Sequence, residues 1–151
     1  MASGLRRGRH TCRVLSHPIT DKASVSGVRR RIRSDLHGAG VDPAVLFDCL
    51  VAVTEACTNA LMHGVEDGGP MPRVSWAVED AEVRFIVQDF AGQEWSMAVH
   101  PSGGLSQLSP EAAEERVGGY GLTIIRGLMD EVDVDVSPQG TVVSLVKRFS
   151  S

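Results

Sequence analysis

The stretch "TEACTNALMHG", residues 54 to 64, sets a carboxylate, a carboxamide and an imidazole into an apolar segment as Glu55, Asn59 and His63. Spaced four apart, they fall on one face of a helix, with successive β-carbons about 5–6 Å apart. A hard cation such as Mg2+ takes oxygen ligands and keeps several waters. The amide oxygen of Asn59 can supply one such ligand without adding charge. A carboxylate one turn away can orient or deprotonate a water or hydroxyl. Taken alone, the row reads first as a polar helix surface or a local Glu–Asn hydrogen bond.

Two further features bear chemistry. Asp89 closes the apolar run "VRFIVQ" and is followed by Phe90, Ala91 and Gly92. A carboxylate at a sheet rim can accept hydrogen bonds from a ligand amino group, although a strand-end Asp is also a common turn former. In "GGYGLTII", Gly118, Gly119, Gly121 and Leu122 lead into a helix. Backbone N–H groups at such a start are unpaired and sit at the positive end of the helix dipole, which suits phosphate. Glycine permits close backbone approach. No Gly-Lys-Ser/Thr follows, and no βαβ unit surrounds the glycines, so neither a Walker loop nor a Rossmann fingerprint is present. A flexible loop before a helix is the other reading.

The elements that must position these groups are legible in part. Weak alternation in "HTCRVLSH" predicts a first strand. Val25, Val28, Ile32 and Leu36 form a helical stripe ended by Gly38 and Gly40, with Arg29, Arg30, Arg31 and Arg33 mostly off it, facing solvent or a partner. The second helix carries the polar row. Asp42 is its N-cap, Pro43 its first turn and Gly64 its stop, and Leu46, Phe47, Leu50, Val53, Cys57 and Leu61 are its apolar stripe. "RVSWAVE" and "EVRFIVQD" alternate and predict an antiparallel hairpin about Asp80–Ala81. Residues 91–119 are rich in glycine and serine, with one short helical piece capped by Ser109; a loop of that length is a lid, a binding loop or disorder. "YGLTIIRGLMDEV" predicts a third helix, and "VDVDV" and "TVVSLVKRF" the last strands, turning at Pro138-Gln139-Gly140. The order β-α-α-β-β-(lid)-α-β-β predicts an α+β two-layer sandwich, a mostly antiparallel sheet with helices on one face. Residues 1–9 read as a disordered tail and 10–151 as a single domain.

Composition bounds the function. The chain has 151 residues, enough for one domain with a core. No run of about 18 apolar residues is apparent, which predicts no membrane span. The basic N-terminus lacks the apolar centre of a signal peptide, so a cytoplasmic location is expected. Three cysteines without a CxxC spacing predict buried thiols. Residues 1–35 hold nine Lys and Arg against two Asp, and the rest six basic against seventeen acidic groups. A basic front on an acidic body reads as a docking surface for an acidic partner, or as a solvated helix face with a basic tail. Aromatics are only 5%, so direct nucleic-acid binding is not expected.

The order of the three features, with a long loop between the last two, resembles the ATP-binding domain of the GHKL-type (histidine kinase-like) ATPases: gyrase, the Hsp90 chaperones, histidine kinases and MutL. The resemblance spans residues 20 to 149. The wording of "TEACTNALMHG", "GYGLTIIRGLMDEVDV" and "GTVVSLVKR" is most similar to the bacterial anti-sigma factor serine-protein kinases. Those domains bind a sigma factor and phosphorylate a STAS-type anti-anti-sigma protein on serine or threonine. The resemblance implies the GHKL (Bergerat) fold, ATP and Mg2+ as ligands, Glu55 as general base and Asn59 as the Mg2+ ligand. It further implies Asp89 as acceptor of the adenine amino group, with His63, Gly92 and Thr141 beside the nucleotide. Gly118, Gly119, Gly121 and Leu122 fall at the phosphates, and residues 97–117 are the lid. The family's Asp-x-Gly-x-Gly departs here to Asp89-Phe90-Ala91-Gly92-Gln93. Two other functions stay open: a non-catalytic module that sequesters a sigma factor or STAS protein, and an ATPase component of a larger assembly. The arginine face could equally serve a homodimer.

Overall fold

A computed structural model describes residues 16–65, 67–91 and 121–150. The expected tail 1–9, most of the expected first strand, Cys12, the expected lid, and Gly92, Gly118 and Gly119 lie outside the described residues.

The helices form where stripe and caps coincide. Helix α1 spans Lys22–Gly38 and buries Val25, Val28, Ile32 and Leu36, the whole expected stripe. It is fixed at its start by a reciprocal capping box: Ser24 N donates to Asp21 Oδ1 at 2.8 Å, and Asp21 N to Ser24 Oγ at 3.1 Å. Helix α2 spans Pro43–His63, with Asp42 capping Ala44 N and Gly64 closing the end. Cys49, Leu50, Ala52, Val53, Ala56, Cys57 and Ala60 are buried along it. One stripe residue departs from expectation. Phe47 is 65% exposed; at about 100° per residue it lies some 120° round the helix from Val53 and misses the core. Helix α3 spans Gly121–Leu128, shorter than the predicted segment because Met129 and Asp130 already turn into the next strand.

The sheet has five strands in the order β1-β2-β3-β5-β4, all pairs antiparallel. Strands β2 (Arg73–Glu79) and β3 (Glu82–Gln88) form the expected hairpin. Its turn tolerates Asp80 at φ +41°, a left-handed value that Asp adopts more readily than most residues. Strands β4 (Glu131–Ser137) and β5 (Gly140–Arg148) form the second hairpin. Among the described residues strand β1 is His17–Pro18, at the end of the expected segment; the proline has no N–H to extend a ladder beyond it. Val74, Trp76 and Val78 alternate inward on β2, and Val83, Phe85 and Val87 on β3, against the helices. Trp76 Nε1 donates to Asp35 Oδ2 at 2.8 Å, tying α1 to the sheet, and His17 stacks on Trp76 at 5.0 Å. The result is the predicted two-layer sandwich.

Helix α2 is the central helix, packed on α1, α3 and the sheet. By length and apolarity it could cross a membrane, which corrects the expectation that no run reaches that length; its few polar groups interrupt the run without making it polar on average. Here its apolar side forms the core. Burial pushes the thiols of Cys49 and Cys57 up to about 12, so they are inert protonated core groups.

Candidate functional site

The polar row of α2 lies beside its buried stripe. Glu55, Asn59 and His63 are half-buried, whereas Ala56, Cys57 and Ala60 between them are in the core. Desolvation lowers the His63 pKa below the ordinary value, so its imidazole is neutral near pH 7.

The row ends at Asp89, one of only two buried polar side chains in the core among the described residues; the other is Thr141. Asp89 follows directly on β3, and its N–H donates to Thr141 O at 2.9 Å. Its Oδ1 accepts from Thr141 N and Ala91 N, each at 3.2 Å. Burial raises its pKa to about 6, against the lowering effect of those two backbone donors. With Oδ1 so held, Oδ2 is the oxygen left to meet a ligand donor.

Two glycines that the sequence reading treated only as a helix stop and a turn leave room for this carboxyl. A Cβ on Gly64 would stand 2.5 Å from Asp89 Cβ and 2.6 Å from its Oδ2. A Cβ on Gly140, whose φ is +136°, would stand 2.1 Å from the Asp89 carbonyl oxygen. The end of α2, the end of β3 and the start of β5 therefore meet at Asp89 with no space for a methyl group. In the sequence, the only signal was a glycine placed directly after the polar row and another directly before Thr141.

Height along α2 orders the groups. At about 1.5 Å per residue, Asn59 stands roughly 7 Å and Glu55 roughly 13 Å from Gly64 along the axis. Helix α3 can be placed on the same scale. Lys147 Nζ donates to Leu128 O at 2.6 Å and pairs with Asp48 Oδ2 at 3.3 Å, so α3 ends level with Asp48. Helix α2 packs more extensively on α3 than on any other element, which fits an α3 that runs back along α2 toward its C-terminal half. Gly121 lies seven residues before Leu128, about 10 Å of helix. That brings the start of α3 to about the level of Glu55, one turn before Asn59. Ile125 and Met129, one turn apart, are buried on the inner side of this segment. Leu122 lies in the first turn of α3.

Four of the expected site residues, Glu55, Asn59, His63 and Asp89, thus follow one another along α2 and its end, and Thr141 joins them through Asp89. A carboxylate, a carboxamide, an imidazole and a desolvated carboxyl stand in line toward the end of α2. This arrangement suits an elongated ligand with an amino-bearing ring at one end and phosphates at the other.

A family model described as the histidine kinase-like ATPase domain matches residues 20–147. The chain is 32% identical over 127 residues to the serine-protein kinase RsbW of Halalkalibacterium halodurans, covering 83% of this chain and 72% of that protein. It is 33% identical over 119 residues to the anti-sigma F factor of Bacillus subtilis, covering 74% of this chain and 77% of the relative. Among solved structures, the RsbU and RsbW domains of a Mycobacterium tuberculosis protein superpose with a TM-score of 0.64 at 21% identity, over 91% of this chain and 32% of that one. The SiaB–SiaC complex from Pseudomonas aeruginosa gives 0.58 at 17% identity, over 89% of this chain and 90% of the other. Both likenesses bear on the fold. The chain belongs to the histidine kinase-like ATPase family and, within it, to the branch of serine-protein kinases and anti-sigma factors.

Proposed function

We propose that this protein is an ATP-dependent serine/threonine-protein kinase and anti-sigma regulatory factor of the cytoplasm. Its substrate is the hydroxyl of a STAS-type anti-anti-sigma protein, and its second partner is a sigma factor. The observation that carries this reading is Asp89, a desolvated carboxyl wedged against Gly64 and Gly140 at the end of the Glu55–Asn59–His63 row.

In this reading Asp89 Oδ2 accepts the adenine amino group, while Thr141 and Ala91 hold Oδ1 and so fix the carboxyl plane. The neutral imidazole of His63 lines the path from the base toward the phosphates. The start of α3 at Gly121 offers backbone donors to phosphate oxygens. Glu55 accepts the proton of the attacking hydroxyl and holds it in line with the phosphoryl group.

The donor set fits Mg2+ bound largely through phosphates and water. No cluster of three or more His, Cys, Asp or Glu stands among the described residues, and a single amide oxygen, Asn59, meets the small protein share that Mg2+ requires. Mg2+ supplies neutralisation of the phosphate charge when bound.

The test is transfer of label from γ-labelled ATP to a STAS partner shown to bind the protein. Wild type should label the partner; Glu55→Gln should bind ATP within about twofold of wild type and lower transfer by at least ~100-fold, the lower end of a general base's usual contribution. A wild-type protein that binds the partner and ATP yet transfers no label would overturn the kinase reading. Ala91 motivates the second reading, of a partner-binding module without catalysis. It stands where relatives of the resemblance carry glycine and is 2% exposed beside Asp89. Ala91→Gly would then raise ATP affinity markedly, whereas a fully competent pocket would change little.

A further inference from the structure

Lys147 is the notable ionisable group on the helix-facing side of the sheet. It pairs across from Val83 on β3, an inward position with no exposure, and its side chain is only 16% exposed. Its ammonium makes two contacts on two different helices: Leu128 O, the last residue of α3, at 2.6 Å, and Asp48 Oδ2 of α2 at 3.3 Å. A cation at a helix C-terminus meets unpaired carbonyls and the negative end of the dipole. A half-buried carboxylate from a second helix completes the junction.

Neither partner touches the nucleotide site directly. Asp48, however, lies on the same side of α2 as Glu55 and Asn59, seven and eleven residues earlier, or about two and three helical turns. The junction therefore sets how far α3 reaches along α2, and so how its opening stands opposite Glu55 and Asn59. The adenine end is built separately, from Gly64, Asp89, Gly140 and Thr141, none of which lies on α3.

We propose that Lys147 is a positioning residue for phosphoryl transfer: through Leu128 O and Asp48 it fixes the axial height of α3 on α2 and thereby the phosphate-facing end of the site. This rests on the nucleotide reading above. A group that fixes only the phosphate end should change binding of phosphates and not of adenosine, which separates it from a residue that merely stabilises the fold.

The experiment measures adenosine, Mg-ADP and Mg-ATP binding by calorimetry for wild type, Lys147→Met, Lys147→Arg and Asp48→Asn. Lys147→Met should keep adenosine affinity and lose at least ~10-fold of the gain conferred by the phosphates, since small misplacements cost much in such sites. Lys147→Arg should restore most of it, and Asp48→Asn should give a smaller loss of the same kind. Equal losses for all three ligands, or none, overturn the inference while leaving the nucleotide reading intact; no binding of any nucleotide by wild type overturns that reading instead. A measurement independent of nucleotide keeps the inference testable in that event. Spin labels at Met62→Cys and Arg126→Cys, in a Cys12→Ser background, report the position of α3 against α2. Lys147→Met should shift or broaden that distance distribution, and an unchanged distribution sinks the proposal.

Discussion

Asp89 brings two opposed pH dependences to one residue. Its folded pKa, about 6, is above the ordinary 3.8, so the fold holds the proton more tightly than the unfolded chain does. The associated stability is therefore full below about pH 4 and lost as pH rises through about 6. The change is on the order of 3 kcal/mol at most. Chemical denaturation from pH 4 to 7 should show this fall in wild type and not in Asp89→Asn. Nucleotide affinity should run the other way, because only the ionised carboxylate is a pure acceptor: it should weaken below about pH 6 and be abolished in Asp89→Asn at all pH values. Gly64→Ala makes a second residue-level prediction. Gly64 has φ −109°, so alanine meets no backbone strain there, and its methyl acts only by displacing the Asp89 carboxyl. ATP binding measured by calorimetry should fall by at least ~10-fold, about 1.4 kcal/mol, with adenosine affected as strongly as ATP. The polar row was readable as chemistry because i,i+4 spacing is local. The two glycines were not, because their partner is 25 residues away from one and 51 from the other, and a glycine beside a helix end signals a stop equally well.

At the scale of elements, the sequence pattern worked where a stripe and its caps agreed. In α1 every predicted stripe residue is buried and the Asp21–Ser24 box closes its start. Asp21→Ala should cost about 1 kcal/mol, read as a lower denaturation midpoint with an unchanged slope. The pattern failed where tertiary placement decides. Phe47 continues the spacing of the α2 stripe, yet it lies some 120° round the helix from Val53 and the ring is left out of the core. Of the expected first strand, only its last two residues lie within the described residues, where β1 pairs His17↔Val74 and Pro18↔Arg73. The long segment before α3, expected as a loop from its glycines and serines, lies outside the described residues.

For the whole molecule, the expected sandwich, element order and antiparallel pairing all follow from the alternation of strand and helix periods. What the periods could not supply is the order of strands. Placing β5 between β3 and β4 depends on long-range packing with α2. That order puts β4 at the sheet's edge, with Glu131, Asp133 and Asp135 exposed along it and Glu131 also paired with Arg148. An outermost strand offers unpaired backbone groups to any passing chain, and like charges spaced two apart discourage a neighbour from zipping alongside. Those three acids of the edge strand suit an anti-aggregation role. Replacing the three acids with threonine should promote concentration-dependent self-association in sedimentation velocity at low salt, and a variant that stays dispersed would remove that role. Its acidic margin is where the molecule can refuse an added ribbon.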